Sequence, residues 1–334
     1  MQGTIDLRRA LEQTLRFDVE ELCKPSLRKS LPRESDPTAL AFFAQVLHRW
    51  STSRIQVRPR RVYYSAALRQ NPLLAKFQER IEEIAELLRN GDEALHNPDK
   101  HYFSKDYYKA IHGDGKGGVK VKYDKLLQEW QIYHFHIGKE SAVEELLYAI
   151  VLEDAVLMID LFGHGLDFAD AKVLHAAKRE WPQIFEGVGL RGIQGSKHPP
   201  EVIQRFRENG VNYFLDIDGT ALTPHTTSIL GGFPVLVRLA LDRFLALAAE
   251  IQESLEHPSS PDIMSIAQSF GVEPKDLRLT VLPDRRNFFG FVIIEDEPTG
   301  KKAKFVHECL IFPWRAPRSQ EMAKALTVAG EEGP

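Results

Sequence analysis

The chain has 334 residues, 43% hydrophobic and 27% charged, and that hydrophobic share is enough to bury a core and excludes wholesale disorder. Its 43 Lys+Arg against 47 Asp+Glu give a net charge of −4 and a pI near 6.3, which excludes a globally basic nucleic-acid-coating protein while leaving room for a basic face. No uncharged apolar run approaches about 18 residues, so no membrane span is expected. The opening MQGTIDLRRALEQ is amphipathic and carries acids, unlike a secretory signal peptide. Cys23 and Cys309 are too few for a disulfide framework or a cysteine zinc site. The expected setting is the cytoplasm.

Residues 5–50 read as helical, with Leu40, Phe43, Ala44 and Leu47 on one side at helical spacing. Arg49, Arg54, Arg58, Arg60 and Arg61 follow, the last four in RIQVRPRRVYY, which alternates like a strand. Pro72 opens an amphipathic helix striped by Leu74, Phe77, Ile81, Ile84 and Leu88 and closed by Asn90-Gly91. Residues 91–122 read as a loop rich in Gly, Asp, Lys and aromatics.

Three strand-like runs come next: Trp130–Gly138 (WQIYHFHIG), Leu146–Leu152 and Ala155–Gly163. Glu153-Asp154 supplies a turn between the last two, which gives an antiparallel meander. A helix is expected over Ala169–Trp181. Residues 186–200 hold four glycines and two prolines and read as a linker. Beyond it lie a helix at 201–209, a strand Tyr213–Ile217 and a long apolar helix Leu236–Leu255, read as buried. A short helix around Ile263–Ser269 and strands around Leu277–Leu282, Phe288–Glu295 and Ala303–Phe312 complete the series. The expected class is α+β. A domain over 1–185, a linker at 186–200, a second α+β domain over 201–315 and a flexible tail at 316–334 are the expected divisions.

The chemistry centres on histidine, of which the chain has 12. Strand alternation puts His134 and His136 on one face, with Tyr133, Phe135 and Ile137 on the other. In the meander the third strand runs parallel to the first, so His164 falls at the same sheet edge as Gly138, with Asp160 four residues behind it. Two chemistries fit. Neutral imidazoles with a carboxylate hold a divalent metal such as zinc, iron or manganese. Alternatively, two histidines act as base and acid in RNA cleavage, because imidazole titrates near neutrality. A third reading has both histidines simply covering a half-exposed sheet face. Arg58, Arg60, Arg61, Tyr63 and Lys139, with Lys116, Lys120 and Lys122 of the glycine-rich loop, are candidates for phosphate and base contacts. The alternative is a charged edge strand that resists aggregation.

The hairpin LLYAIVLEDAVLMIDLFGH resembles the terminal hairpin of RelE-type mRNA interferases, in which two strands joined by a tight acidic turn end in Gly-His. The preceding strand and helix would complete that small α+β ribonuclease core. The segment 72–181 also resembles uncharacterised bacterial proteins associated with mobile elements. Gly165 stands where the toxin family usually has Arg after that His. The resemblance implies an endoribonuclease-like effector of toxin or phage-defence type, with RNA as partner and a second protein that inhibits or activates it. No cofactor is called for. His134 and His136 would be base and acid, and His164 and Asp160 would assist.

Three other motifs compete. FLDIDGTAL resembles the first motif of haloacid-dehalogenase-type phosphatases, with Asp216 as nucleophile and Asp218 as acid/base around Mg2+. The simpler reading makes Asp218-Gly219 a type I′ hairpin turn. IAQSFGVEPKDL resembles the opening of a helix-turn-helix, although Pro274 and the strands beyond speak against it. GDGKGG lacks the Gly-Lys-Ser/Thr ending of a P-loop. A non-catalytic binding or scaffold protein and a metal-dependent hydrolase remain the other functional classes.

Overall fold

The computed structural model describes residues 7–311 except 34–35, 37, 123, 139–144, 164–170, 191, 210, 212, 225–227, 230–232, 258 and 283–288. In chain order it forms α1 (Leu7–Leu22), α2 (Pro25–Arg28), α3 (Ala39–Ser53), β1 (Arg61–Tyr64), α4 (Ala66–Gln70) and α5 (Leu74–Asn90). The short hairpin β2 (His112–Gly113) and β3 (Val119–Lys120) precedes α6 (Lys125–Trp130) and the strands β4 (Ile132–His136), β5 (Leu146–Val151) and β6 (Ala155–Phe162). Then come α7 (Lys172–Glu180), β7 (Gly189–Leu190), α8 (Pro200–Glu208), β8 (Leu215–Ile217), β9 (Thr220–Leu222), β10 (Ser228–Ile229) and β11 (Phe233–Pro234). The series ends with α9 (Val235–Glu256), α10 (Pro261–Phe270), β12 (Leu279–Leu282), β13 (Phe289–Asp296) and β14 (Lys301–Ile311). The protein is α+β.

The expected division at 186–200 is corrected. Two compact units interleave along the chain: unit 1 comprises Met1–Ser51, Lys109–Val121 and Leu236–Arg315, and unit 2 comprises Thr52–Tyr108 and Lys122–Val235. The stretch 186–200 lies inside unit 2. Its β7 pairs with β9, and the Ser196 amide donates to the Phe214 carbonyl at 3.0 Å while its carbonyl accepts from Asp216 at 3.2 Å. Gly195 is required there because a Cβ would stand 2.6 Å from the Asp216 nitrogen. Its lack of a Cβ serves a close backbone approach, not a hinge. The tail expected at 316–334 lies outside the described residues.

Unit 2 is organised by a four-stranded sheet in the order β1-β6-β5-β4, with β1 parallel to β6 and the other pairs antiparallel. Both faces are covered. Phe77, Ile81, Ile84 and Leu88 of α5 pack with Val62, Phe135, Leu147 and Met158 on one side. Val173, Leu174 and Ala177 of α7 pack with Ile132, Tyr148, Ile150 and Leu157 on the other. Double coverage explains why β5 and β6, apart from Asp160, read as apolar runs instead of alternating. The acidic turn closes as expected, with the Leu152 amide bonded to the Ala155 carbonyl at 2.8 Å. At the end of α5, Gly91 takes the left-handed conformation at φ 62° as a C-cap.

Unit 1 gathers Leu15 and Val19 of α1, Phe43 and Leu47 of α3, Ala110 and Ile111, and Ile263, Ile266 and Phe270 of α10 into one core. The helix α9 is not wholly buried. Ile251 and Leu255 enter this core, while Asp242, Ala249, Glu250 and Glu253 are exposed. The strands β12, β13 and β14 form an antiparallel sheet. Ser260 caps α10 by accepting from the Ile263 amide at 3.1 Å, and Gly271 ends it at φ 68°. A 3-10 turn, Pro274–Asp276, and β12 follow directly, so IAQSFGVEPKDL is a capped helix entering a strand and not a helix-turn-helix. Among the described residues no helix is long and apolar enough to cross a membrane.

Candidate functional site

Residue alternation places the histidines as expected. Phe135 is buried against α5, and His134 and His136 share the opposite face of β4, their rings 5.9 Å apart between centroids. Sheet register aligns His134 with Tyr148 on β5, and Tyr148 with Asp160 on β6. Asp160 therefore occupies the same cross-strand row, two strands or about 10 Å from His134. Tyr148 stands between them, its ring 6.4 Å from that of His134 and its hydroxyl donating to the Gly163 carbonyl at 3.2 Å. The Asp160 carboxylate is held by the Asn71 side-chain amide at 2.7 Å and by the Leu161 amide at 2.8 Å. It is a bracket for α4 and β6, not an assistant to the histidines. His164 and Lys139 lie outside the described residues.

The carboxylate that does meet the pair is Asp124, which the sequence pattern alone does not single out. Asp124 is the N-cap of α6, where one oxygen accepts from the Leu127 amide at 3.0 Å. Its other oxygen lies 3.1 Å from Nδ1 of His134, whose side chain is only 13% exposed. Burial pushes the Asp124 carboxyl up, but the charge and hydrogen bond of His134 and the helix amides overcome it and hold the group below the usual carboxylate range. The signal was present as an N-cap Asp directly before the helical run KLLQEW. What was missing was the partner, because only the fold brings α6 back over β4.

The arginines turn out differently. Arg60 is buried, and its guanidinium donates to three backbone carbonyls: Leu152 at 2.9 Å, Gln56 at 2.8 Å and Arg58 at 3.0 Å. Burial, and then the charge of Arg58, bring it down to about 10. Arg58 pairs with Glu153 at 2.8 Å and Arg61 with Asp154 at 3.4 Å. Tyr63 packs against the apolar cluster on the α7 side of the sheet. These residues fasten the β5–β6 turn; β1 and β4 are opposite edges of the sheet, so the arginines do not flank the histidines. The expected phosphate-binding edge is corrected on that ground. Lys122 is likewise paired, with Asp106.

FLDIDGTAL is a hairpin. Asp218 at φ 49° and Gly219 at φ 75° form the two-residue left-handed turn between β8 and β9, and Asp216 accepts from the Gly219 amide at 2.8 Å. Asp218 also meets Nδ1 of His175 on α7 at 2.9 Å, in an exposed setting. An antiparallel hairpin with Asp216 turned onto its own loop lacks the strand-to-helix setting that a phosphoryl-accepting Asp needs. Among the described residues no three His, Cys, Asp or Glu side chains gather as a metal site.

No protein-family model, curated protein or solved structure matches the chain.

Proposed function

We propose that unit 2 is a metal-independent endoribonuclease working by histidine acid–base chemistry. The observation that carries this reading is the Asp124–His134 pair set beside His136 on one face of β4. A proton on Nδ1 facing Asp124 makes Nε2 of His134 the basic nitrogen, as an orienting carboxylate does for any catalytic imidazole. His134 removes the proton of a ribose 2′-hydroxyl, whose oxygen attacks the adjacent phosphorus. His136, in its protonated form, supplies the proton to the departing 5′-oxygen. The products are a 2′,3′-cyclic phosphate and a 5′-hydroxyl. Base and acid each need hydrogen-bond reach of ~3 Å to their oxygen, and two rings 5.9 Å apart are compatible with a phosphodiester between them.

The reading also draws on the likeness of the hairpin LLYAIVLEDAVLMIDLFGH to the terminal hairpin of RelE-type interferases. The effector role, and the protein partner that would restrain or trigger it, rest on that likeness.

Purified protein incubated with total RNA, with and without EDTA, tests the reading beside His134→Ala, His136→Ala and Asp124→Asn of matched thermal stability. Cleavage that survives EDTA and falls about 10²–10⁴-fold in either histidine variant is expected. Cleavage abolished by EDTA, or unchanged in the variants, refutes it. A second reading has its own observation: His134 is mostly buried, so the pair also serves as a staple between α6 and β4. On that reading the same variants lose stability and the wild-type protein cleaves nothing.

A further inference from the structure

The basic surface that the arginines at 58–61 do not provide is present in unit 1. Residues 24–33 (KPSLRKSLPR) contain Lys24, Arg28, Lys29 and Arg33 and no acid. All four side chains are exposed around the short helix α2, and Leu27 between them packs on the unit 1 core. The β2–β3 hairpin lies alongside, since a Cβ on Gly113 would be 3.9 Å from Cδ2 of Leu27. That hairpin adds exposed Lys116 and Lys120. Its acid, Asp114, turns inward and accepts from the amides of Lys116 at 2.7 Å and Gly118 at 2.8 Å. Among the described residues none of these six cations has an ion-pair partner, whereas Arg58, Arg61 and Lys122 all do.

We propose that this face of unit 1, formed by α2 and the β2–β3 hairpin, binds the phosphate backbone of single-stranded RNA. A single strand is favoured because unpaired cations spread over two adjacent segments match a chain of evenly spaced phosphates. The hairpin tip also admits close approach, since a Cβ on Gly115 or Gly117 would meet nothing within 4 Å. An anionic membrane is a poorer match. The face shows no exposed large apolar side chain to enter a lipid layer, its leucines at 27 and 31 being turned toward the core. That the polyanion is RNA rests on the ribonuclease reading of unit 2; the polyanion-binding character does not.

The test uses the full chain and a fluorescent 2′-O-methyl oligoribonucleotide, which has no attackable 2′-hydroxyl and reports binding alone. Anisotropy is measured at a series of salt concentrations. Two variants are compared with wild type, each checked by thermal melting: one changes Lys24, Arg28, Lys29 and Arg33 to Gln, the other Lys116 and Lys120 to Gln. Both changes fall on exposed side chains, so folding is expected to persist. The fourfold variant is expected to bind at least ~10-fold more weakly, and its plot of log affinity against log salt to flatten by about 0.7 for each phosphate it no longer neutralises. The hairpin variant is expected to shift in the same direction by less. Wild type that fails to bind the oligonucleotide, variants that bind as wild type does, or wild type that binds phosphatidylserine vesicles instead each overturn the proposal. Binding lost in these variants with no cleavage of RNA by wild type keeps the surface and sinks the ribonuclease. Cleavage lost in His134→Ala with binding indifferent to the variants does the reverse.

Discussion

Two basic stretches of this chain look alike on paper and have opposite fates. RPRR at 58–61 and KPSLRKSLPR at 24–33 are both dense in cations and broken by proline. The first is consumed by the fold: Arg60 is buried against three carbonyls, and Arg58 and Arg61 close on Glu153 and Asp154. The second is left to solvent. A charged run therefore says nothing about binding until its partners are known, and three of them here, the Leu152 carbonyl, Glu153 and Asp154, lie more than ninety residues away at the β5–β6 turn.

The same contrast divides the two His–Asp pairs. Asp124–His134 is half-buried and joined by a second imidazole, whereas Asp218–His175 is exposed at a hairpin tip. The two pairs are nearly the same in length, 3.1 and 2.9 Å, so position and neighbours decide what each pair does.

The largest effect that sharpens the comparison is expected at Arg60. Arg60→Met leaves the carbonyls of Leu152, Gln56 and Arg58 without their donor and should cost unit 2 about 3 kcal/mol in urea unfolding. A loss under 1 kcal/mol would place Arg60 with the solvent-facing cations. Acid is next. Burial depresses the imidazole of His48 in unit 1 from its ordinary 6.5 to about 4. The unfolded chain then takes up a proton at His48 before the native state does, so stability is full above pH 6.5 and falls as the pH drops toward 4. The loss should reach roughly 3 kcal/mol, and His48→Gln should flatten that part of the pH–stability profile. A slope that survives the substitution would assign the acid sensitivity elsewhere.

Smaller effects follow. Asp124→Asn should lower the melting stability of unit 2 by about 1–2 kcal/mol, since it weakens both the α6 cap and the bond to His134. Asp218→Asn should change stability by no more than ~0.5 kcal/mol, because Asp218 is exposed and its pair with His175 is open to water. Equal losses at the two positions would erase the distinction between the pairs. Smallest of all, Arg58→Gln should cost about 0.5 kcal/mol and leave RNA binding as it was, its ion pair with Glu153 being open to water.

Much of the secondary structure was legible. The meander was readable from Trp130 to Gly163, and β4, β5 and β6 lie within the expected runs, with the turn at Glu153-Asp154. The stripe from Phe77 to Leu88 marked α5, and Asn90-Gly91 marked its end. These signals are local: side-chain periodicity and capping preferences operate over a few residues. His134 and His136 on one face follow from the same alternation. Asp124 as their carboxylate did not, and Asp160 was placed on the histidines' face yet is held by Asn71 instead. The glycine-rich stretch at 186–200 misled for a related reason. Gly195 is small because β8 passes against it, and a single sequence shows a glycine needed for close packing and one needed for flexibility as the same letter.

The sequence by itself determined the runs that become α5 and β4–β6, where α5 stops, which face of β4 is apolar, and that the chain is α+β. Only the tertiary structure decided that two units interleave, that Asp124 meets His134, and that the arginines at 58–61 are taken while the cations at 24–33 remain open. The physical reason is range. Backbone propensity and periodicity act between neighbours in sequence, whereas the neutralisation of a buried charge depends on groups that packing brings together from distant parts of the chain.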